Sequence, residues 1–482
     1  MGTVKRLLGA ALIGAAASVP VAAEPITAER LMTHIRILAD DSYEGREAGT
    51  PGGERAEAYI LDAFAKAGLR PGAGSSWRQT IDIVARTPVA TRLAFSRNGT
   101  AVALPADSIV LTGADTAVDL ATAPVLFAGY ATEPELAGIS VKDAVVAMLQ
   151  GQPPESRSVG SWQDRRQALL DAGAAAVIHV EPADRPWDAA AKRSQRVIAP
   201  GNDAFGPARG PMSHAAATVL LGRTMLGAAA RRGFRARRLP LTVSGQVTTR
   251  IDQIDPANIV GMVKGSGDGR EPVVMMSHWD HTGICRPPGA PDRICNGAID
   301  NASGIAVLIE TAREIAAGPK PVRDIYFLAT ALEEAGGFLG ATAFAQRPAE
   351  PRPVAVLNVD TIAIHPRGLP VAIIGRGRFP SLDRVIDATS RQLGRKVDLD
   401  DEANVMIERQ DGWAFTKLGI PSVMASGSFS DMKLLTAYLG TTYHQPNDDL
   451  KQKIEIGGAV EDADLHVALL RALADPKIYP TP

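Results

Sequence analysis

Three places in this chain set histidines or acids just behind a run of apolar residues. Val273-Val274-Met275-Met276 is followed by Ser277-His278-Trp279-Asp280-His281, the run 325–330 by Glu333 and Glu334, and the run 354–359 by Asp360. Short apolar runs of this kind read as buried strands. In an open α/β sheet the ligand crevice lies beyond the carboxyl ends of the strands, so these side chains are expected to converge. A fourth acid, Asp300, stands in Asn296-Gly297-Ala298-Ile299-Asp300-Asn301-Ala302-Ser303-Gly304, at the mouth of an amphipathic stretch. Alone, Asp300 reads as a helix N-cap. Beside His278, Glu334 and Asp360 it reads as a ligand, because carboxylates crowded into one pocket are costly unless a cation neutralises them. Imidazole and carboxylate together suit zinc, which accepts both at about 2.0–2.2 Å.

The elements that must position these groups follow from periodicity. Apolar runs at 273–276, 325–329, 354–359, 371–374 and 422–424 read as strands of a largely parallel sheet. Helical patterns lie between them. Residues 301–317 carry Ile305, Leu308, Ile309, Ala312 and Ile315 on one stripe, and 380–393 and 456–474 read likewise. The alternation predicts an α/β fold, a three-layer α/β/α sandwich around a mostly parallel sheet. Two further helices, 29–38 and 53–67, flank the glycine-rich segment Glu44-Gly45-Arg46-Glu47-Ala48-Gly49-Thr50. Residues 106–245 have another texture, short β-rich runs broken by Gly and Pro. They read as an inserted domain, leaving 24–105 and 246–482 to the sandwich. His179 and His214 fall in the insert with no acids at ligand spacing, and read as structural or surface residues.

At 482 residues with 45% hydrophobic content the chain can fill two or three domains. Its 51 basic and 53 acidic residues nearly balance, which argues against nucleic acid or an anionic membrane as partner. The cluster Arg231, Arg232, Arg235, Arg237 and Arg238 reads as a solvated surface. Residues 1–23 have a positive start, a short apolar core and small residues at 20–23, the pattern of an export signal cleaved after Ala23. The apolar run is too short to anchor in a membrane, so the expected product is periplasmic or secreted. Export permits a disulfide between the two cysteines, Cys285 and Cys295. The alternative is two free thiols.

These motifs together resemble the co-catalytic zinc aminopeptidases of metallopeptidase family twenty-eight, in particular secreted bacterial members. The resemblance rests on His278-Trp279-Asp280, Asp300 to Gly304, the pair Glu333-Glu334, Asn358-Val359-Asp360, and Tyr443-His444 with Asp448, in that order. It implies two zinc ions per chain, with Asp300 bridging them, His278 and Asp360 completing one site, and Glu334 and His444 the other. Asp280 is then expected to orient the His278 ring, Glu333 to act as general base, and Tyr443 either to donate to an oxyanion or simply to pack. The implied substrate is a peptide, cut at its N-terminus. The insert is similar to a protease-associated domain and supplies no ligand. The chain departs from the family pattern at Leu332, at 335–340 and at Gln410-Asp411-Gly412, which bears on specificity. His281, His365 and Asp431 receive no role. Other readings are a carboxypeptidase of the same fold, a single-zinc glutaminyl cyclase, and an inactive receptor-like protein.

Overall fold

The computed structural model describes residues 24–153, 161–347 and 351–481. The expected export signal lies outside them, and no helix of the described residues is long and apolar enough to cross a membrane. The chain forms two compact units: one is the chain up to Gln79 together with Ala257–Pro482, the other Thr80–Pro256.

The first unit is built on a mixed sheet of β1 (Arg70–Pro71), β2 (Ala257–Val263), β3 (Val273–His278), β4 (Ile325–Thr330), β5 (Ala355–Asn358), β6 (Ala372–Ile374) and β7 (Ser422–Ser426). Their order is β1-β2-β4-β3-β5-β7-β6. The central pairs β4–β3, β3–β5 and β5–β7 are parallel, while β2 and β6 join antiparallel at the two sides. Alternate strand residues point to opposite faces. Val274, Met276, Tyr326, Leu328 and Val356 form one buried cluster with Phe344 and Phe415. On the opposite face Gly261 lies so close to Phe64 and Leu69 that a Cβ there would come within 2.4 Å of the leucine.

Helices cover both faces. α1 (Ala28–Leu38), α2 (Pro51–Lys66), α3 (Gly304–Ala317) and α6 (Ile456–Leu473) pack together on the Gly261 side, and the short helices Leu339–Ala345 and Gly412–Thr416 pack on the other. α4 (Pro380–Gln392) and α5 (Met432–Thr441) complete the unit. The expected sandwich and strand ends are therefore present. The helix expected from 301 begins at Gly304 instead, because Ala298–Ser303 forms an irregular turn with a cis peptide between Asp300 and Asn301.

The second unit is larger than the insert expected over 106–245. Ile83–Arg97 pairs antiparallel along its length with Arg237–Ile254, so both strands fold with the insert and carry its limits outward to Thr80 and Pro256. Ala117–Phe127, Val145–Leu149, Ala176–Val180 and Ala208–Met212 add a parallel section to the same sheet. In this unit His179 is a buried strand residue, 3.7 Å from Glu181 and packed on Trp162, and His214 opens the helix His214–Leu221.

Candidate metal centre

β3 ends on His278, and the chain turns at once. The turn brings the Asp280 main-chain carbonyl within 3.1 Å of His278 Nδ1, so that ring nitrogen donates there and Nε2 is left facing the crevice. The Asp280 carboxylate does something other than expected. It accepts the backbone N–H groups of Glu333 at 3.2 Å and Glu334 at 3.3 Å, fixing the loop that follows β4. The imidazole is thus oriented by residue 280, but through its backbone. Burial raises the Asp280 carboxyl to about 7.

The turn carrying Asp300 is held by buried side chains from distant segments. Asp448 accepts the N–H groups of Ile299 at 3.0 Å and of Asp300 at 3.1 Å, and Tyr438 donates to it at 2.9 Å. Asn301 donates to Ser277 Oγ at 3.0 Å and to the Val359 carbonyl at 3.2 Å, tying the turn to the ends of β3 and β5. Gly304 is obligatory here, since a Cβ would lie 2.3 Å from Asn301 Oδ1 and 2.5 Å from Ser277 Oγ.

Arg46 completes the support. Its guanidinium is fully buried and donates to four main-chain carbonyls: Leu38 at 2.6 Å, Trp279 at 3.0 Å, Asn296 at 2.5 Å and Gly297 at 2.9 Å. An arginine in a glycine-rich segment gives no sequence signal for this.

These supports bring the expected ligands together in two cradles that share Asp300. In the first, His278 Nε2 stands 3.2 Å from Asp300 Oδ1 and 3.5 Å from Asp360 Oδ1. In the second, His444 Nε2 stands 3.3 Å from Asp300 Oδ2 and 3.0 Å from Glu334 Oε2. Asp300 Oδ2 and His444 Nε2 are buried without a hydrogen-bond partner, the arrangement a cation between them would satisfy. Burial disfavours every charge here, yet the neighbouring imidazoles of His278, His444 and His281 hold Asp300 well below the ordinary carboxylate range. Likewise Glu334 and Asp300 overcome burial to lift the His444 imidazole to about 10. The donor set, two imidazoles and three carboxylates, fits zinc.

His281 also enters the second cradle, with Nδ1 2.8 Å from Glu334 Oε1 and 3.8 Å from Asp300 Oδ2. Sequence reasoning left it aside, although its spacing from His278 places both on one strand-end turn. Glu333 lines a cavity beside the cradles together with Asp360 and Tyr443. Burial, reinforced by Glu334, Asp411 and Asp360, pushes its carboxyl well above the usual range. Tyr443 stacks on the His444 ring at 3.7 Å between centroids, and burial beside Asp300 and Glu334 raises its phenol far above normal.

Two of the three departures from the expected pattern have local explanations, at Leu332 and at 410–411. Leu332 adopts φ +63, the left-handed region that glycine favours. Gln410 accepts from Asn358 at 2.9 Å, and Asp411 accepts from the Thr330 hydroxyl, so this stretch braces the ends of β5 and β4. Of the residues left without a role, Asp431 caps α5 and His365 pairs with Asp462 at 3.1 Å.

Residues 258–468 match peptidase family M28. Among solved structures, an aminopeptidase from Aneurinibacillus sp. strain AM-1 is similar with a TM-score of 0.60 and 19% identity over 93% of this chain and 94% of that one. BSAP, a zinc aminopeptidase from Bacillus subtilis, is similar with a TM-score of 0.53 and 18% identity over 92% and 95%. At these identities the likeness is one of fold. No curated protein sequence matches the chain.

Proposed function

Because residues 258–468 match peptidase family M28, we propose that this chain is an exported metallo-aminopeptidase holding two zinc ions, with His278, Asp300 and Asp360 around one and Asp300, Glu334 and His444 around the other. The observation that carries the proposal is the pair of cradles sharing Asp300, with Glu333 beside them. Two zinc ions at such a site polarise a carbonyl and lower the pKa of water. The chain's own groups do the rest. Glu333, which lines the cavity beside both cradles, takes a proton from the attacking water and returns it to the leaving amine. Tyr443, kept protonated by its surroundings, donates to the carbonyl oxygen as negative charge develops there. Asp280 keeps Glu333 and Glu334 in place through their backbones. Glu333 and Asp360 offer negative charge to a substrate's free α-ammonium group. Export rests on the signal-like residues 1–23 and accords with the Cys285–Cys295 disulfide.

The carboxypeptidase reading needs a free cation facing the substrate. Arg376 is bound to Asp387 at 3.0 Å, and Arg378 lies over Trp413, so neither supplies it. Arg409 does line the cavity and keeps that second reading open to test. The deciding experiment compares amino-acid amides and free peptides with their N-acetylated forms, with and without chelator. Release of single N-terminal residues, abolished by acetylation and by chelation, is the expected result. Trimming of acetylated peptides from the C-terminus, lost in Arg409→Ala, would replace this reading with the carboxypeptidase. Full activity in metal-free protein would remove both.

A further inference from the structure

The two cradles differ in the number of protein donors they present. Around Asp300 Oδ1 there are three residues, His278, Asp300 and Asp360. Around Asp300 Oδ2 there are four, because His281 joins Asp300, Glu334 and His444, with all four ligand atoms within 4.8 Å of one another. We propose that His281 is a fourth protein ligand through Nδ1, making the Glu334–His444 cradle a closed, tight metal site while the His278–Asp360 cradle stays open and exchangeable.

Three observations carry this. First, the separations suit a shared ion. Donors about 2.0–2.1 Å from a tetrahedral zinc stand ~3.3–3.4 Å from each other. The contacts of His281 and His444 with Glu334 and Asp300 measure 2.8, 3.0, 3.3 and 3.8 Å, on both sides of that value. Second, the His281 ring is wholly buried, and its Nδ1 faces only those two carboxylates among its described polar contacts. Third, the backbone is cut to admit the ring at this place. Gly297, at φ +60, leaves no room for a Cβ, which would lie 2.7 Å from the His281 ring. Arg46 and the Asp300 turn hold Gly297 there, and the His281 N–H donates to the Arg46 carbonyl at 3.3 Å.

A site with four protein donors binds its ion as structural zinc sites do, whereas three donors leave a position for water or substrate. The ion beside Glu334 is therefore expected to remain through mild chelation that removes the other. This rests on the two-metal reading above but is tested without any peptide. Asp360→Asn disables the open cradle, leaving one ion per chain. X-ray absorption of that zinc-loaded protein is expected to count two imidazoles on the metal, from His281 and His444. A count of one would overturn the proposal and leave His281 as a hydrogen-bond donor to Glu334. In the same background, His281→Asn retains a donor for Glu334 but is a poor zinc ligand. Competition with a chelator should show a loss of affinity of at least about 100-fold, beyond the usual cost of losing a partner that only orients a ligand. A smaller loss, within that usual cost, would also overturn it. If the unaltered protein binds no zinc, the two-metal reading fails first, which separates the two failures.

Discussion

The adjacent glutamates test the proposed division of labour at the scale of single residues. Glu334 touches both histidines of the second cradle, whereas Glu333 faces the cavity. Glu333→Gln keeps the shape and removes the proton carrier, so it is expected to retain both metals and lose about 10²–10⁴ in kcat. Glu334→Gln is expected to cost one equivalent of metal, read by mass spectrometry of the dialysed protein. The opposite pattern would exchange their roles. The same scale explains why Leu332, at positive φ, is tolerated just before the pair: its side chain is fully buried, so packing offsets a backbone preference for glycine.

At the scale of elements, the candidate metal centre is braced by a short segment that offers no donor to either cradle. Asp41–Arg46 is a brief 3-10 turn between α1 and α2, and Arg46 grips the carbonyls on either side of the catalytic turns, Trp279 after β3 and Asn296–Gly297 before Asp300. Burial lowers its guanidinium only to about 10, so it is charged at neutral pH. Lysine keeps the charge but lacks the planar fork. Arg46→Lys therefore leaves buried carbonyls without donors, at about 1–3 kcal/mol for each group left unmet. The expected result is a lower urea midpoint together with weaker zinc retention. A stability loss with unchanged metal affinity would make Arg46 a general core residue instead. The Cys285–Cys295 disulfide closes a loop beside the same segment, with Gly45 so near Cys295 that a Cβ would lie 2.3 Å from its carbonyl oxygen. Closing so short a loop contributes about 2.8 kcal/mol in the chain-entropy view.

Across the whole first unit, one buried carboxylate joins four segments. Asp462 of α6 meets His365 at 3.1 Å, Arg395 at 2.7 Å, and Ser426 at the end of β7. Against its burial, these partners draw its carboxyl down to about 2. A carboxyl depressed in the folded state stabilises above its ordinary value of 3.8, and that stability is lost as pH falls from about 4 toward 2. The shift corresponds to about 2 kcal/mol. Asp462→Asn also removes the carboxylate charge facing the half-buried Arg395 guanidinium and is expected to cost about 3 kcal/mol at neutral pH. Urea unfolding at several pH values checks both points: the difference between the two proteins should shrink as the pH is lowered through this range. A constant difference would mean that the carboxylate's charge is not what ties the segments.

What the sequence determined by itself is the sandwich, the strand ends and the acids and histidines placed on them, because periodicity and turn residues are local signals. The strands ending at His278, before Glu333-Glu334 and before Asp360 lie where the apolar runs end. What only the tertiary structure decided depends on which atoms face each other across long separations. Arg46 and Asn296 are 250 residues apart, and nothing near Arg46 distinguishes it from a solvated arginine. The pairing of Ile83–Arg97 with Arg237–Ile254 moved the limits of the inserted unit to Thr80 and Pro256, because a long ribbon of mixed burial leaves no compact apolar run to read. Asp280 turned its backbone to His278 and its carboxylate to the next loop, and His281 turned inward to the carboxylates. Spacing places a residue at the site, whereas side-chain direction and the neighbours it meets decide what the residue does there.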